Sequence, residues 1–245
     1  MSDPSSFLSG KNISPRERLI FAMDVPDADT ALKMADQLGD SVEVYKLGLE
    51  LFLSGDYFRL VDGFLDRGKK VFCDLKLFDV PETVRRAVRR LRGRGVSFLT
   101  VHGNDGILRA AAEDKGDLKI LAVTALTSLD RGDLDDLGFQ CDVADLVLSR
   151  ARRALEVGCD GVVSSGLEAA RLRSKLGEKL LIVTPGIRPV ENRPSDDQKR
   201  VVTVERAFQD GADYIVVGRP IKNAPDPRVA AEDIQNKIQA LFPQT

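Results

Sequence analysis

Two aspartates and a lysine lie within six residues of one another in the stretch from Val71 to Thr83: Asp74, Lys76 and Asp79. The apolar residues before Asp74 are typical of a β-strand, and strand side chains alternate between faces, so Asp74 and Lys76 should project in the same direction. A nearby opposite charge favours the ionised form of each group. These three residues form either a surface ion pair, which contributes little to stability, or a charged array that acts on a bound molecule.

Short apolar runs alternate with helical patterns along the chain. The predicted strands are Leu19–Met23, Val42–Leu49, Lys70–Leu75, Val96–Val101, Leu118–Ala125, Gly161–Val163, Leu180–Val183 and Tyr214–Val217. The predicted helices are Asp27–Leu38, Tyr57–Leu65, Glu82–Leu91, Gly106–Ala112, Val143–Val157, Leu167–Leu176, Val204–Gln209 and Val229–Leu241. The strands are apolar throughout, as expected when both faces of a sheet are buried. Eight strand–helix pairs in 245 residues favour a single-domain α/β fold, a closed (β/α)8 TIM barrel, over an open doubly wound sheet.

Two polar segments fall outside this alternation. Residues 1–15 are polar and rich in serine, so we expect a flexible N-terminal arm ahead of a barrel domain over residues 16–245. The segment from Pro189 to Lys199 lies inside the repeat, after the seventh strand, and we expect a long loop there. Loops of this kind often serve as lids or grips for a ligand.

The bulk composition excludes several functional classes. A net charge of −2 gives no overall attraction to nucleic acid or anionic lipid. Three scattered cysteines are too few for a disulfide framework or a zinc cluster and suit a reducing compartment. The sequence has neither a signal-peptide pattern nor an apolar run long enough to span a bilayer, so a cytoplasmic protein is expected.

Polar or small residues close nearly every predicted strand. In a (β/α)8 barrel the carboxyl ends of the strands meet at one mouth, where active sites lie. The strand-closing residues are Asp24, Lys46, Asp74 with Lys76, His102, Thr127 with Ser128, Ser164 with Ser165, Thr184 and Gly218 with Arg219. Chance would not place two lysines beside two aspartates at the same mouth, so the functional interpretation of Asp74 and Lys76 is favoured over the surface ion pair.

The last two strand ends share a further pattern. Thr184-Pro-Gly-Ile-Arg188 and Val217-Gly-Arg219 each place a glycine and an arginine after a strand. Backbone N–H groups and a forked guanidinium in these two loops are a common phosphate site of barrels. The alternative is that the glycine only makes a turn and the arginine is solvated. The same pattern occurs in both loops, however, and this favours phosphate binding.

Other chemistries find less support in the sequence. His102 is the one histidine, so metal sites built from two or three histidines are excluded, and a structural role for it is at least as plausible as a catalytic one. The segment from Arg85 to Arg94 is strongly basic, which is one feature of a nucleic-acid patch. An apolar stripe along the same segment favours instead a solvated outer helix, near a dimer partner.

These motifs resemble the orotidine 5′-phosphate decarboxylase family. The most specific match is Asp74-x-Lys76-x-x-Asp79-Val80-Pro81-x-Thr83. Further matches follow in the family's order: Ala22-Met-Asp24, Tyr45-Lys-Leu-Gly48, Thr100-Val-His102, Leu126-Thr-Ser128, Thr184-Pro-Gly-Ile-Arg188, Asp197-Gln-x-Arg200 and Val217-Gly-Arg219. The resemblance implies decarboxylation of orotidine 5′-monophosphate to uridine 5′-monophosphate, in pyrimidine biosynthesis, by a homodimeric barrel that uses no cofactor and no metal.

The resemblance also implies a role for each site residue. Lys76 would protonate C6 of the pyrimidine, in a charged array with Lys46, Asp74 and Asp79. Asp79 and Thr83 would enter the site of the neighbouring subunit. Asp24 and Lys46 would hold the ribose hydroxyls, and Thr127 or Ser128 the pyrimidine edge. The phosphate would be bound by Arg188, Gln198, Gly218 and Arg219.

Two other functions remain open at this point. One is a metal-dependent sugar-phosphate epimerase or β-keto acid decarboxylase on a related barrel with the same phosphate loops. The other is a nucleic-acid-binding protein that uses the basic segment.

Overall fold

The computed structural model describes residues 7–188 and 201–243, in which eight parallel strands close into a barrel in chain order. The strands are β1 (Leu19–Ala22), β2 (Val44–Leu47), β3 (Lys70–Leu77), β4 (Phe98–Val101), β5 (Lys119–Val123), β6 (Gly161–Val163), β7 (Leu181–Thr184) and β8 (Tyr214–Val217). Strand β8 pairs with β1, which closes the sheet. The predicted (β/α)8 barrel is therefore confirmed, and the open sheet is wrong.

Helices cover the outside of the barrel. They are α1 (Ala28–Leu38), α2 (Leu49–Leu53), α3 (Tyr57–Asp66), α4 (Pro81–Leu91), α5 (Asp105–Glu113), α6 (Arg131–Asp136), α7 (Val143–Glu156), α8 (Gly166–Leu176), α9 (Val204–Gln209), α10 (Arg219–Lys222) and α11 (Pro227–Leu241). The eight predicted helices all occur, whereas the short helices α2, α6 and α10 were not predicted. Side chains cap several N-termini; the carboxylate of Asp27, for example, accepts a hydrogen bond from the Thr30 N–H at 2.7 Å.

The strands bury side chains on both faces. One apolar cluster fills the barrel and includes Ile20, Phe72, Phe98 and Tyr214. The Phe98 ring packs edge to face against both other rings, with centroid distances of 5.8 Å to Phe72 and 5.2 Å to Tyr214. A second, larger cluster lies between the strands and the helices. The barrel is therefore a packed core, and space for a ligand is left at its carboxyl-end mouth. No helix within the described ranges is long and apolar enough to cross a membrane.

A buried ion network closes the opposite end of the barrel. The side chain of Asp213, just before β8, is fully buried. Its carboxylate lies 2.9 Å from both Arg173 Nη2 and Lys11 Nζ. It also accepts hydrogen bonds from the Ser9 hydroxyl and from the Ile182 N–H. Residues 1–6 of the predicted arm lie outside the described residues, and from Ser9 onward the segment contacts the barrel through Asp213.

The one histidine packs against the segment that follows β3. The His102 ring meets the Phe78 ring edge to face at 5.5 Å, and the His102 N–H donates to the Leu77 carbonyl oxygen at 2.9 Å. Gly103 has a φ of 128°, and a Cβ atom there would lie 2.6 Å from Ile107 Cδ1 and 3.0 Å from Phe78 Cε2. Only glycine fits this position. His102 thus helps to hold the chain between Lys76 and Asp79.

Replacing Asp213 by alanine should lower the free energy of unfolding by about 3–5 kcal/mol, because the buried Arg173 guanidinium would lose its buried carboxylate partner and keep only the more distant, exposed Glu178. Equilibrium unfolding in urea measures this loss. The matched control is Glu232→Ala, which breaks the exposed pair of Arg228 with Glu232 and should cost about 0.5 kcal/mol or less. Equal losses in the two variants would show that the buried network does not stabilise the fold.

The free energy of unfolding should decrease as the pH falls below about 6.5, the ordinary pKa of histidine, and His102 should contribute to this decrease. Burial, followed by the positive charges of Arg150 and Lys76, lowers the pKa of His102. The unfolded chain therefore binds a proton first as the pH falls, so folding loses stability between about pH 6.5 and the lower folded pKa. Urea unfolding at pH 7.5 and 5.5 should show a smaller change in His102→Gln than in the parent. An unchanged pH dependence would contradict this assignment.

Candidate active site

A cavity of about 370 Å³ opens at the carboxyl ends of the strands. This volume is within the range of small-molecule sites. Eight of the residues to which the resemblance assigns a role line it: Asp24, Lys46, Asp74, Lys76, Thr127, Arg188, Gly218 and Arg219. They come from the ends of β1, β2, β3, β5, β7 and β8, so the closure of the barrel brings together side chains that are far apart in sequence.

Four charged side chains alternate in sign across the cavity. Lys46 Nζ lies 3.1 Å from Asp24 Oδ1 and 3.4 Å from Asp74 Oδ2. Lys76 Nζ lies 2.9 Å from Asp74 Oδ1. Exposure of the side chains falls from 54% at Asp24 to 12% at Lys46 and 11% at Asp74, and is 35% at Lys76. The array is therefore most desolvated at its centre, where Asp74 lies between two ammonium groups.

The neighbours of Asp74 determine its ionisation. Burial alone would raise the pKa of this carboxyl, but Lys46 and Lys76, together with hydrogen bonds from Lys76 and Thr100, bring the pKa below its usual range. For Lys46, burial acts to lower the pKa, and the charges of Asp74 and Asp24 overcome it, so the pKa is raised. Both groups are charged at neutral pH. The cavity thus holds fixed charges in a partly desolvated setting, where they act strongly.

An irregularity in β3 directs Lys76 toward the cavity. The pairing of β3 with β4 shifts in register between Cys73 and Leu77, and Lys76 has a φ of 47°. A positive φ is uncommon for a residue other than glycine and is often found where function requires it. The bulge therefore changes the direction of the strand at the residue whose side chain completes the array.

Thr100 supports this irregular backbone and was missed as a site residue. Its buried hydroxyl donates to Asp74 Oδ1 at 2.8 Å and accepts a hydrogen bond from the Lys76 N–H at 2.9 Å. One side chain on β4 thus fixes both the carboxylate and the backbone that carries the ammonium. In the sequence, Thr100 is an ordinary β-branched residue within a predicted strand, and its position before His102 gives no sign of this role.

The predicted phosphate loops form one side of the cavity. Gly186, Arg188, Gly218 and Arg219 all line it. The chain at Gly218 passes close to β1, because a Cβ atom there would lie 3.3 Å from the Ala22 Cβ. The Arg188 N–H donates to the Val202 carbonyl oxygen at 3.0 Å, which ties the end of the β7 loop to the segment before α9. The two loops thus bring two arginines to the same cavity, and the guanidinium group is a side chain that binds phosphate well.

Three of the remaining predicted residues, Asp79, Thr83 and Ser128, do not line the cavity. Asp79 and Thr83 are exposed, at the start of α4, and an Asp79 oxygen accepts a hydrogen bond from the Val80 N–H at 2.6 Å. Ser128 is exposed beyond Thr127. Gln198 and the loop from 189 to 199 lie outside the described residues. Eight predicted residues therefore line the cavity, and Asp79, Thr83 and Ser128 lie on the exposed surface.

Lys222 also lines the cavity and was not predicted. It ends the one-turn helix α10, beyond the strand-end position from which candidates were taken. Where the chain is described, no group of three or more histidine, cysteine or acidic side chains is placed to hold a metal ion.

Comparison with known proteins agrees with this geometry. The sequence profile of the orotidine 5′-phosphate decarboxylase / HUMPS family matches residues 17–234. The chain is 65% identical over 237 residues to orotidine 5′-phosphate decarboxylase of Methylococcus capsulatus, covering 97% of this chain and 98% of that protein. It is 51% identical over 234 residues to the protein of the same name from Xanthomonas euvesicatoria, with 95% and 96% covered.

Solved structures show the same relationship. The crystal structure of orotidine 5′-phosphate decarboxylase from Lactobacillus acidophilus superposes with a TM-score of 0.79 at 34% identity, over 91% of this chain and 99% of the other. The enzyme of that name from Pyrococcus horikoshii gives a TM-score of 0.72 at 28% identity, over 90% and 99%. With a family profile that spans most of the sequence and relatives this similar over nearly its full length, the chain belongs to the orotidine 5′-phosphate decarboxylase / HUMPS family.

Proposed function

We propose that this protein decarboxylates orotidine 5′-monophosphate to uridine 5′-monophosphate in pyrimidine biosynthesis, without a cofactor or a metal. The observation that carries the proposal is the array of Asp24, Lys46, Asp74 and Lys76 in one cavity with the two arginine loops. The relatives named for this activity are similar over nearly the full length of the chain. The array supplies charge at one end of a ligand, and the loops bind an anion at the other.

The reaction needs a fixed positive charge where CO₂ departs. Loss of CO₂ from C6 of the pyrimidine leaves an electron pair in the ring plane, with no conjugated carbonyl to delocalise it. The Lys76 ammonium stabilises this charge as it forms and then donates its proton to C6. The bond from C6 to the carboxylate carbon breaks, a C6–H bond forms, and Lys76 is left as a neutral amine that is reprotonated from solvent.

Asp74 keeps this ammonium in place. Its carboxylate contacts Lys76 Nζ at 2.9 Å, and the second ammonium, on Lys46, lies on its other side at 3.4 Å. Asp74 also places negative charge beside the departing carboxylate of the substrate. Preorganised charges of this kind cost no reorganisation during the reaction, and that is the basis of their effect on rate.

The rest of the cavity binds and orients the nucleotide. Asp24 and Lys46 hold the ribose hydroxyls, and Thr127 or Ser128 contacts the pyrimidine edge. Arg188, Gly218 and Arg219, with Gln198, bind the phosphate. The phosphate is remote from C6, so its binding energy can be used to close loops and orient the ring.

We also propose that the active enzyme is a cytoplasmic homodimer in which Asp79 and Thr83 enter the neighbouring site. Asp79 follows Lys76 by three residues yet lies outside the cavity of its own subunit. Phe78 and Val80, on either side of it, are 70% and 62% exposed. Large apolar side chains exposed together are typical of an interface between proteins. Pairing of this surface with its copy would carry Asp79 toward the partner's lysine.

A metal-dependent epimerase or β-keto acid decarboxylase on a related barrel is the alternative. Protein treated with a chelator and then assayed with orotidine 5′-monophosphate separates the two, by following the ultraviolet change. Full turnover without metal supports the proposal. Turnover that depends on an added divalent ion supports the alternative.

Replacing Lys76 by alanine should lower kcat by about a thousandfold or more, because a general acid alone contributes about 10²–10⁴ and the ammonium also stabilises the carbanion. Stopped assays at high enzyme concentration measure the residual rate. Lys237→Ala is the control: Lys237 pairs with Glu205 on the outer helices and should leave the rate unchanged. A Lys76→Ala variant as fast as the parent would exclude the proposed mechanism.

Mixing two inactive variants tests the shared site. Lys76→Ala and Asp79→Ala dimers should each be nearly inactive. Random exchange of subunits in equal amounts gives hybrids in about half of the dimers, each with one intact site out of two, so activity should return to roughly a quarter of the parent's. Subunit exchange is confirmed by mass spectrometry of differently tagged chains. If hybrids form and activity does not return, Asp79 acts within its own subunit.

A further inference from the structure

We propose that Lys222 is a third cationic residue for the phosphate of the substrate, held in position by the backbone that follows β1. The inference rests on the proposed function, because it concerns the 5′-phosphate end of the same cavity. It adds a residue that is neither at a strand end nor in the motifs that indicated the family.

Lys222 faces the same space as the two arginines. The one-turn helix α10 places it three residues after Arg219, and residues three apart lie on the same face of a helical turn. Both residues line the cavity, and Arg188 lines it from the β7 loop. Two arginines and a lysine therefore line one cavity, although the chain as a whole has a net charge of −2.

Backbone and core contacts fix the direction of the Lys222 side chain. The Lys222 N–H donates to the Gly218 carbonyl oxygen at 2.9 Å, and Ile221 next to it is fully buried. The side chain reaches across to the loop after β1, where Nζ donates to the Asp24 carbonyl oxygen at 2.6 Å. The long, flexible lysine side chain is thus already ordered, which reduces the entropy lost on binding a ligand.

The contact with Asp24 leaves the ammonium able to bind an anion. An ammonium has three N–H donors, and this hydrogen bond uses one. The acceptor is a neutral carbonyl oxygen, so the bond does not offset the positive charge, unlike the carboxylate contacts of Lys46 and Lys76. A compact point charge complements the forked guanidinium groups when the ligand is a dianionic phosphate monoester.

The position of Lys222 also connects the phosphate end of the cavity with the ribose end. Asp24 presents its carbonyl oxygen to Lys222 and its carboxylate to Lys46, at 2.6 and 3.1 Å. A phosphate bound by Lys222 would therefore lie next to Asp24, the residue that is proposed to hold the ribose. A ligand with both groups, a nucleoside 5′-monophosphate, should bind more tightly than the nucleoside alone.

The test compares a phosphorylated with an unphosphorylated substrate. Lys222→Met keeps the length of the side chain and removes its charge, and Lys222→Arg restores the charge. With orotidine 5′-monophosphate and orotidine as substrates, the ratio of the two kcat/KM values should fall about tenfold in Lys222→Met, the effect of one charge-assisted contact. Lys222→Arg should recover most of the ratio. Lys237→Met is the matched control and should leave the ratio unchanged.

A purely structural lysine would give a different result. If Lys222 only supports the Asp24 backbone, Lys222→Met lowers both kcat/KM values together and the ratio stays constant, which overturns the inference. An unchanged ratio with unchanged kinetics overturns it as well.

Calorimetric binding of uridine 5′-monophosphate and uridine separates this inference from the proposed function, because binding needs no turnover. Lys222→Met should weaken binding of the nucleotide about tenfold relative to the nucleoside. A parent protein that binds the nucleotide through Lys222 but fails to decarboxylate orotidine 5′-monophosphate would overturn the function alone. Equal effects on both ligands would overturn the role of Lys222.

Discussion

The contact of one carboxylate with two ammonium groups is the constraint on which the site depends. Asp74 is nearly buried and would resist ionisation in isolation, yet it lies within 3.4 Å of Lys46 and 2.9 Å of Lys76. Removing either lysine would leave the negative charge of Asp74 with only one positive neighbour. Removing Asp74 would leave two ammonium groups without the carboxylate between them. The three residues and Asp24 therefore act as a unit, and each of them comes from the end of a strand at the mouth.

The barrel keeps polar chemistry at its two ends and an apolar core between them. Side chains such as Phe72, Phe98 and Tyr214 fill the interior below the cavity. At the far end, Asp213 joins Arg173 and Lys11 in a buried network. The fold can thus tolerate a strained backbone at Lys76 because its stability is secured elsewhere, and Thr100 fixes the irregular segment locally.

The sequence predicted the framework well because parallel strands buried on both faces give continuous apolar runs, and all eight occur. Residues at strand ends, such as Asp24 and Arg219, were predicted for the same reason: topology alone brings them to one mouth. Helices α2, α6 and α10 span only four to six residues, and a helical period is hard to recognise over so short a segment, although α9, with six residues, was predicted. Thr100 and Lys222 were missed because their roles arise from a strand bulge and a one-turn helix, which periodicity does not reveal. The partner's contribution through Asp79 depends on a second chain, and it remains a prediction.

In the proposed mechanism, the Lys76 ammonium donates a proton to C6 of the pyrimidine. By microscopic reversibility, the enzyme that protonates the C6 carbanion must also remove the C6 proton of the product. Incubation of uridine 5′-monophosphate with the enzyme in D₂O, followed by proton NMR of H6, measures this exchange directly. We expect slow replacement of H6 by deuterium with the parent enzyme, and we expect this exchange to be lost in Lys76→Met. Exchange at the parent's rate in Lys76→Met would contradict it.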